Sequence, residues 1–444
     1  MADATPEMLA AEAFVYGSPL VAGLTAVDAF HRRGTGPIGP TEWNTFGHAA
    51  ELAGPTSDFV SVNNDTLYSV APLDLSAGPL LLHVPDTGGA YDVLQFIDAW
   101  TNNFAYVGRR SSGTAEQTWL IAPPGWRGTA PDGVPVIVSP TTVAVIAGRN
   151  HCAGPDDLER VRGIQRQLTL TPLEGGGGTP AGLPEPTADV PEELLFLERL
   201  RLWMAAFPPA ADDTAFQQRF APIGLLDRGR SPYLDGPAEW AATLAKGLAA
   251  GRERVEAATL GTEQPAGEWT ANLHLFDYNL DFLGPGTRDE PQWRIADRRA
   301  AYLTRAVAAR IGLWGNHAYE AVYATTYNDA DGVPLSGAHA YTLRFERTPP
   351  VGAFWSVTMY GTPDYLLVAN EIDRYSIGDR TPGLVYGEDG SLTLYIQHRR
   401  PTDPVELANW LPAPEGGFRP VTRMYQPQDA VLDGSYRLPA VRLR

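Results

Sequence analysis

Apolar residues fall in short runs at the two ends of this chain and at helical spacing through its middle. Between about Phe59 and Arg149, the runs Leu80–Val84, Tyr91–Ile97, Trp119–Ala122 and Val134–Val138 have strand length. Gly, Pro and Asp separate them at roughly the 8–12-residue spacing that predicts a sandwich or barrel. From Asp156 the period becomes helical: Glu159 stands where a capping box needs it, and Val161, Ile164 and Leu168 share a face. Residues 190 to about 325 keep that texture. Leu194, Leu197, Leu200 and Met204 form a stripe that Pro208-Pro209 closes. Further helices are expected over Thr214–Phe220, Pro237–Leu260 and Ile295–Trp314. Strand texture returns from about Leu335, in Ala340–Phe345, Ala353–Tyr360 and Ser391–Gln397. An opening helix over Pro6–Ala29 has irregular apolar positions, and Gly17-Ser18-Pro19 predicts a kink or break in it.

The expected architecture is mixed and β-dominated. A helical segment over 1–40 leads into an antiparallel β module over 41–155. A helical region over 156–334, with a Gly/Pro-rich loop at 175–190, joins it to a second antiparallel β module over 335–444. With 444 residues, two or three domains are expected rather than one core. A hydrophobic content of 44% suffices for those cores and excludes general disorder.

Charge narrows the partners. Against 34 basic residues stand 52 acidic ones, a formal charge of -18 that repels phosphate backbones and anionic membrane surfaces. No apolar run reads as long enough to span a bilayer, and the start Met1-Ala2-Asp3-Ala4 has no basic leader, so a cytoplasmic protein is expected. A small-molecule partner fits these limits, and a homo-oligomer is compatible with them. One cysteine, Cys152, leaves no internal disulfide and no cysteine-built metal site. The eight His include no His-x-His or His-Glu-x-x-His pair, and His274 with Asp277 is a weak ligand signal, so no metal is expected. Neither a phosphate loop, a dinucleotide fingerprint nor a Gly-x-Ser-x-Gly elbow is present, and no cofactor is expected.

Two dense polar-aromatic segments carry the candidate chemistry. The first holds Asn63, Asp65, Thr66 and Tyr68, followed by Asp98, Trp100, Asn103 and Arg109. The second runs from Asn370 through Arg374, Tyr375, Asp379 and Arg380, followed by His398 and Trp410. Buried polar groups need partners, so these segments form either structural networks or the lining of a site. Asp65 and its neighbours suit an Asx turn, or an acid–base group with Asn63 and Tyr68 as orienting donors. Asp98 beside Trp100 would have a raised pKa suited to a general acid, or would pair with Arg109. Arg374 could grip an anionic oxygen, or close its loop onto Asp373 or Asp379. Strand parity from Leu392, Leu394 and Ile396 places His398 on the inward face.

Asn63-x-Asp65-Thr66-Leu67-Tyr68, Asp98-Ala99-Trp100-Thr101-Asn102 and Gly108-Arg109 resemble the hallmark segments of the domain of unknown function numbered 1254. Phe354-Trp355-Ser356-Val357-Thr358-Met359-Tyr360, Asn370 to Thr381, Gln397-His398 and Asn409-Trp410-Leu411-Pro412 resemble its usual companion, the domain numbered 1214. The resemblance spans about Thr41–Leu168 and Leu335–Leu443. It implies paired β-sandwich or jelly-roll modules joined through helices, and it brings no established reaction. The expected function is an enzyme of small-molecule metabolism, a lyase, isomerase, cyclase or hydrolase using cofactor-independent acid–base chemistry. Asp98 or Asp65 would move the proton, with Arg374 and His398 beside them. Trp100, Trp355, Tyr360, Tyr375 and Trp410 would line a largely apolar pocket between the modules. A non-catalytic sugar- or lipid-binding protein and a shell-forming assembly protein are the alternatives.

Overall fold

A computed structural model of the protein describes residues 4–57, 61–175, 177–259 and 264–444. It opens with α1 (Pro6–Arg33), capped by the Thr5 side chain on Met8 N–H, with Pro6 in the first turn and Gly34 at its end. The expected break at Gly17-Ser18-Pro19 does not occur. Pro19 cannot donate to Val15 O, but the helix is buried along most of its length and tertiary packing outweighs one lost hydrogen bond. Gly17 is where Leu200 packs against the backbone, leaving no room for a Cβ. By length and composition α1 could cross a bilayer, contrary to the reading that no such run exists. Its apolar positions lie instead in the chain's own core.

The N-terminal strands are β1 (Gly47–His48), β2 (Thr66–Asp74), β3 (Leu80–Val84), β4 (Asp92–Asp98), β5 (Asn103–Gly108), β6 (Gln117–Ala122), β7 (Val136–Val138) and β8 (Val143–His151). After α2 (Leu158–Gln165) comes β9 (Thr169–Pro172). They form two sheets, β1-β2-β8-β4-β5 and β7-β6-β3-β9. Leu73, Leu94, Phe96 and Ile146 of the first share a core with Leu80, Leu82 and Ile121 of the second. Pro72 sits inside β2. It pairs with Val145 across β8, on the stretch beyond β1, and its carbonyl takes Asn44 N–H. The helix expected from Asp156 begins as a tight turn, and no side chain caps it. Asp157 holds Arg160 and Ala153 N–H, and Glu159 holds Arg162.

The middle of the chain supplies α3 (Leu195–Ala206), α4 (Ala211–Gln217), α5 (Ala238–Thr259) and α6 (Arg298–Ile311). They gather with α1 around Leu197, Leu200, Phe220 and Leu244, on the side of the first sheet that carries Val70, Val145 and Ile97. The expected helix end at Leu260, like Phe59, lies outside the described residues.

β10 (Ala321–Thr325) is a strand in a stretch read as helical; its edge pairs with a strand nearly a hundred residues later, which no local period reveals. After it come β11 (Tyr341–Phe345), β12 (Val351–Gly361), β13 (Ser376–Gly378), β14 (Leu392–Gln397), α7 (Pro404–Ala408), β15 (Trp410–Pro412), β16 (Phe418–Pro427), α8 (Asp429–Leu432) and β17 (Arg442–Leu443). Two sheets result, β10-β16-β12-β13 and β15-β14-β11-β17, with Trp355, Val357 and Met424 of one packed with Leu343, Leu394 and Ile396 of the other. The whole is mixed and β-rich, with helices around two strand-built modules.

Candidate functional site

Side chains alternate across a strand, so each sheet that buries one face in its own core turns a second face outward. On β2 and β8 the second face carries Tyr68 and Arg149; on β10, β12 and β16 it carries Tyr323, Phe354, Ser356, Thr358, Tyr360, Arg423 and Tyr425. These two faces meet. The contact is a seam of aromatic and polar groups, and Asp65 is at its centre.

Asp65 is held by the turn that precedes β2. The Asn63 side-chain Oδ1 accepts Asp65 N–H at 2.5 Å, the Asx-turn arrangement read from the sequence. The Asn63 amide then donates to Thr66 Oγ1 (2.8 Å) and to the Tyr425 hydroxyl (3.0 Å). Across the seam Ser356 Oγ donates to Asp65 Oδ2 at 2.7 Å, and Tyr425 OH reaches the same oxygen at 3.3 Å. Burial raises the Asp65 carboxyl above its usual range, while Arg423 and the two hydroxyl donors pull it back. Arg423 donates to Thr358 Oγ1 (2.8 Å), Ser61 O (3.0 Å) and Tyr360 OH (2.8 Å), and Tyr360 OH donates to Val62 O. Burial works against the Arg423 charge, but the Tyr360, Tyr425 and Asp65 oxygens outweigh it and keep the group protonated.

A second knot lies along the same seam. Arg110 pairs with buried Glu320, which also accepts Tyr91 OH at 2.9 Å. His317 Nδ1 lies 2.8 Å from Tyr106 OH and 2.9 Å from Tyr319 OH, and burial beside Arg110 lowers its pKa to about 3. Tyr91 links the knots by packing edge-on to Tyr425, itself stacked on Phe354 at 4.2 Å. His151, 4.4 Å from Phe354, is pushed down to about 4 by burial and by Arg380. A carboxyl with raised affinity for protons, two hydroxyl donors and a fixed positive charge can take up or release a proton next to stabilised negative charge.

Of the residues singled out from the sequence, Asn63, Asp65, Tyr68 and Tyr360 come together in this seam. The others do not. Asp98 caps the β4–β5 turn, accepting Trp100 N–H (2.9 Å), Asn102 N–H (2.8 Å) and the Asn102 amide (2.8 Å). Its pKa is raised to about 6 by burial, as expected beside an indole, but its neighbours are the turn itself and Arg305, not Arg109. Arg109 donates to Gly352 O. Asn103 ties Gly315 O and Gln95 together. Arg374 neither faces the seam nor pairs with Asp373 or Asp379: it donates to the Ala408 and Trp410 carbonyls at the end of α7. Tyr375 donates to Asp373. His398 lies just past the end of β14, 44% exposed and bonded to Ala413 O, so the inward parity stops at Ile396.

Trp100, Trp355 and Trp410 are buried in separate places. Trp100 donates to Phe207 O, Trp410 to Gln397 O, and Trp355 packs on Phe345. They do not line a shared pocket. His274 and Asp277 bind one another at 2.7 Å. No group of three or more His, Cys, Asp or Glu side chains able to hold a metal occurs among the described residues. Sequence reasoning passed over Ser356, Arg423, Tyr425, Tyr323, Arg149, Arg110 and Glu320. The available signal was Arg419-x-Val421-x-Arg423-x-Tyr425, an alternation hidden by Pro420 and Pro427.

The model of the protein of unknown function DUF1254 matches residues 43–172, and that of DUF1214 matches 320–429. The chain belongs to this two-domain family. Asp65, Tyr68 and Arg149 come from the DUF1254 range and Tyr323, Ser356, Arg423 and Tyr425 from the DUF1214 range, so the seam joins the two matched segments. No curated protein matches the chain. It is similar to the crystal structure of the VPA0106 protein from Vibrio parahaemolyticus, at 24% identity over 99% of this chain and 100% of that one, with a TM-score of 0.74. That likeness shows a shared fold. A putative uncharacterized protein from Burkholderia cenocepacia aligns at 12% identity over 98% and 88% of the two chains, with a TM-score of 0.46.

Proposed function

We propose that this protein is an enzyme of small-molecule metabolism whose acid–base chemistry takes place in the seam, with Asp65 moving the proton. The observation that carries the reading is the Asp65 carboxyl itself. It is buried, its affinity for a proton is raised by that burial, and it is held by the Ser356 and Tyr425 hydroxyls of the other module. Arg423 and Tyr425 would stabilise negative charge developing on the substrate, and Phe354 offers an apolar wall. The reaction class is that of a lyase, isomerase, cyclase or hydrolase, each of which needs only proton transfer and charge stabilisation. Asp98 is not assigned a part, because its three acceptor contacts lie within its own turn.

The test compares the protein with Asp65→Asn on a fractionated small-molecule extract, followed by mass spectrometry for isomerised products or those that gain or lose water. The wild type should convert at least one fraction. Asp65→Asn, folded by circular dichroism, should convert it about 10²–10⁴-fold more slowly. Equal rates in the two proteins, or ligand capture without conversion, would count against catalysis; capture alone would favour a binding protein.

A further inference from the structure

Buried arginines in this chain usually meet a carboxylate. Arg201 is paired with buried Glu198 and Arg110 with Glu320, and Arg305 reaches Asp98 through the Asn102 amide. Two do not follow this pattern. Arg149 (6% exposed) donates to Gln95 Oε1 at 2.8 Å and Trp314 O at 3.0 Å. Arg423 (4% exposed) donates to the neutral oxygens given above, and its Nε has no partner. Neither forms an ion pair among the described residues, though each carries a full charge out of water.

The two guanidiniums approach one place. Both bear on the Tyr323 hydroxyl, which burial pushes above its ordinary range and which they pull down. Arg149 lies over the Tyr68 ring, 5.4 Å from its centroid. Tyr68 and Tyr323 keep partial solvent exposure in this buried setting, the Tyr68 hydroxyl beside Arg149 and the Tyr323 hydroxyl beside Asn316. Asn316, 2% exposed, stands with its Oδ1 3.5 Å from Arg149 and its Nδ2 without a partner. Donors are in excess here, and acceptors are missing. A negative ligand would supply them.

We infer that the seam holds an oxyanion, the carboxylate or phosphate head of a small molecule, between Arg149 and Arg423 with Tyr68, Tyr323 and Asn316 as further donors. The inference names the substrate class for the reading in which the seam is the working site. A planar guanidinium can offer two parallel N–H groups to either head. A surface groove of about 400 Å³ beside Arg219, Arg298, Arg299 and Tyr302 is a weaker candidate, because Arg219 is paired with Glu12 and Arg298 with Asp281 and Asp213.

Thermal unfolding of the full chain, titrated separately with inorganic phosphate and with benzoate, tests the inference. At least one probe should raise Tm saturably at millimolar concentration, and which one does so separates a phosphate head from a carboxylate head. Tyr323→Phe and Arg149→Gln should weaken that probe about tenfold or more, the loss expected for charge-assisted or hydroxyl donors. Arg298→Gln, in the outer groove, should leave it unchanged. If Arg149→Gln does not fold, Tyr323→Phe decides. Absence of a saturable response to either probe would overturn the inference. So would a response that survives Tyr323→Phe and Arg149→Gln, or one that Arg298→Gln abolishes. Asp65→Asn should still bind the probe, so binding without turnover refutes the catalytic reading alone, and turnover without probe binding refutes the anion seat alone.

Discussion

Ser356 and Asp65, 291 residues apart in sequence, meet at 2.7 Å, the hydroxyl of one module donating to the carboxyl of the other. The contact fastens the Asx turn before β2 to the middle of β12. It is also the shorter of the two hydroxyl contacts that, with Arg423, offset the burial of Asp65. Ser356→Ala should therefore raise the Asp65 pKa further, so that the protonated carboxyl persists to higher pH than in the wild type. Carboxyl infrared or carbon-13 titration reads this directly. A titration unchanged from wild type would mean that Tyr425 and Arg423 already set the value.

Asp98→Asn should be destabilising, because the new amide N–H₂ would face the Asn102 amide while the Asn102 oxygen is held by Arg305. The cost is about 1–3 kcal/mol for a buried donor left without an acceptor. Its pH dependence has a definite sign. Burial raises the folded carboxyl from 3.8 to about 6, so its contribution to stability is full below pH 4 and is lost as pH rises toward 6. The variant lacks this loss. Its deficit against wild type should shrink between about pH 4 and 6, by an amount on the order of 3 kcal/mol. Denaturant unfolding at several pH values checks it, and a deficit constant with pH would contradict the raised carboxyl. Comparing each variant with wild type removes the opposing slope from His151 and His317, whose lowered values stabilise the fold at higher pH.

Arg374→Met should lower stability by about 1.5–3 kcal/mol, the range for hydrogen bonds to a charged group, because the Ala408 and Trp410 carbonyls lose their donor. Anion binding and turnover should remain at wild-type levels. A loss of either one, with stability retained, would return Arg374 to the site.

Gly378→Ala should destabilise by about 1–3 kcal/mol or more through overpacking. Gly378 pairs with Ser356 across β12–β13, and a Cβ there would run into the Trp355 carbonyl oxygen. Chemical denaturation measures it. Tolerance of alanine would show that β13 can move away from β12.

The period of apolar residues determined the helical middle and most terminal strands by itself, because burial of one face repeats at 3.6 or 2 residues whatever the partner is. Even the turn at Asn63–Asp65 is local, and its chemistry was legible. What alternation cannot state is which face meets which neighbour. Trp355 and Tyr360 were placed in one pocket, yet on a continuous strand they point to opposite sides. Trp355 enters the module's own core, and Ser356 and Tyr360 face Asp65. Arg109 and Arg110 differ by one position, and only the path of the chain after β5 sends the second to Glu320. Arg149 and Arg423 read as ordinary charges on two distant strands. Their burial together, without an ion pair among the described residues, arises only when the two outer sheet faces close on one another, and that long-range docking decides what the seam can hold.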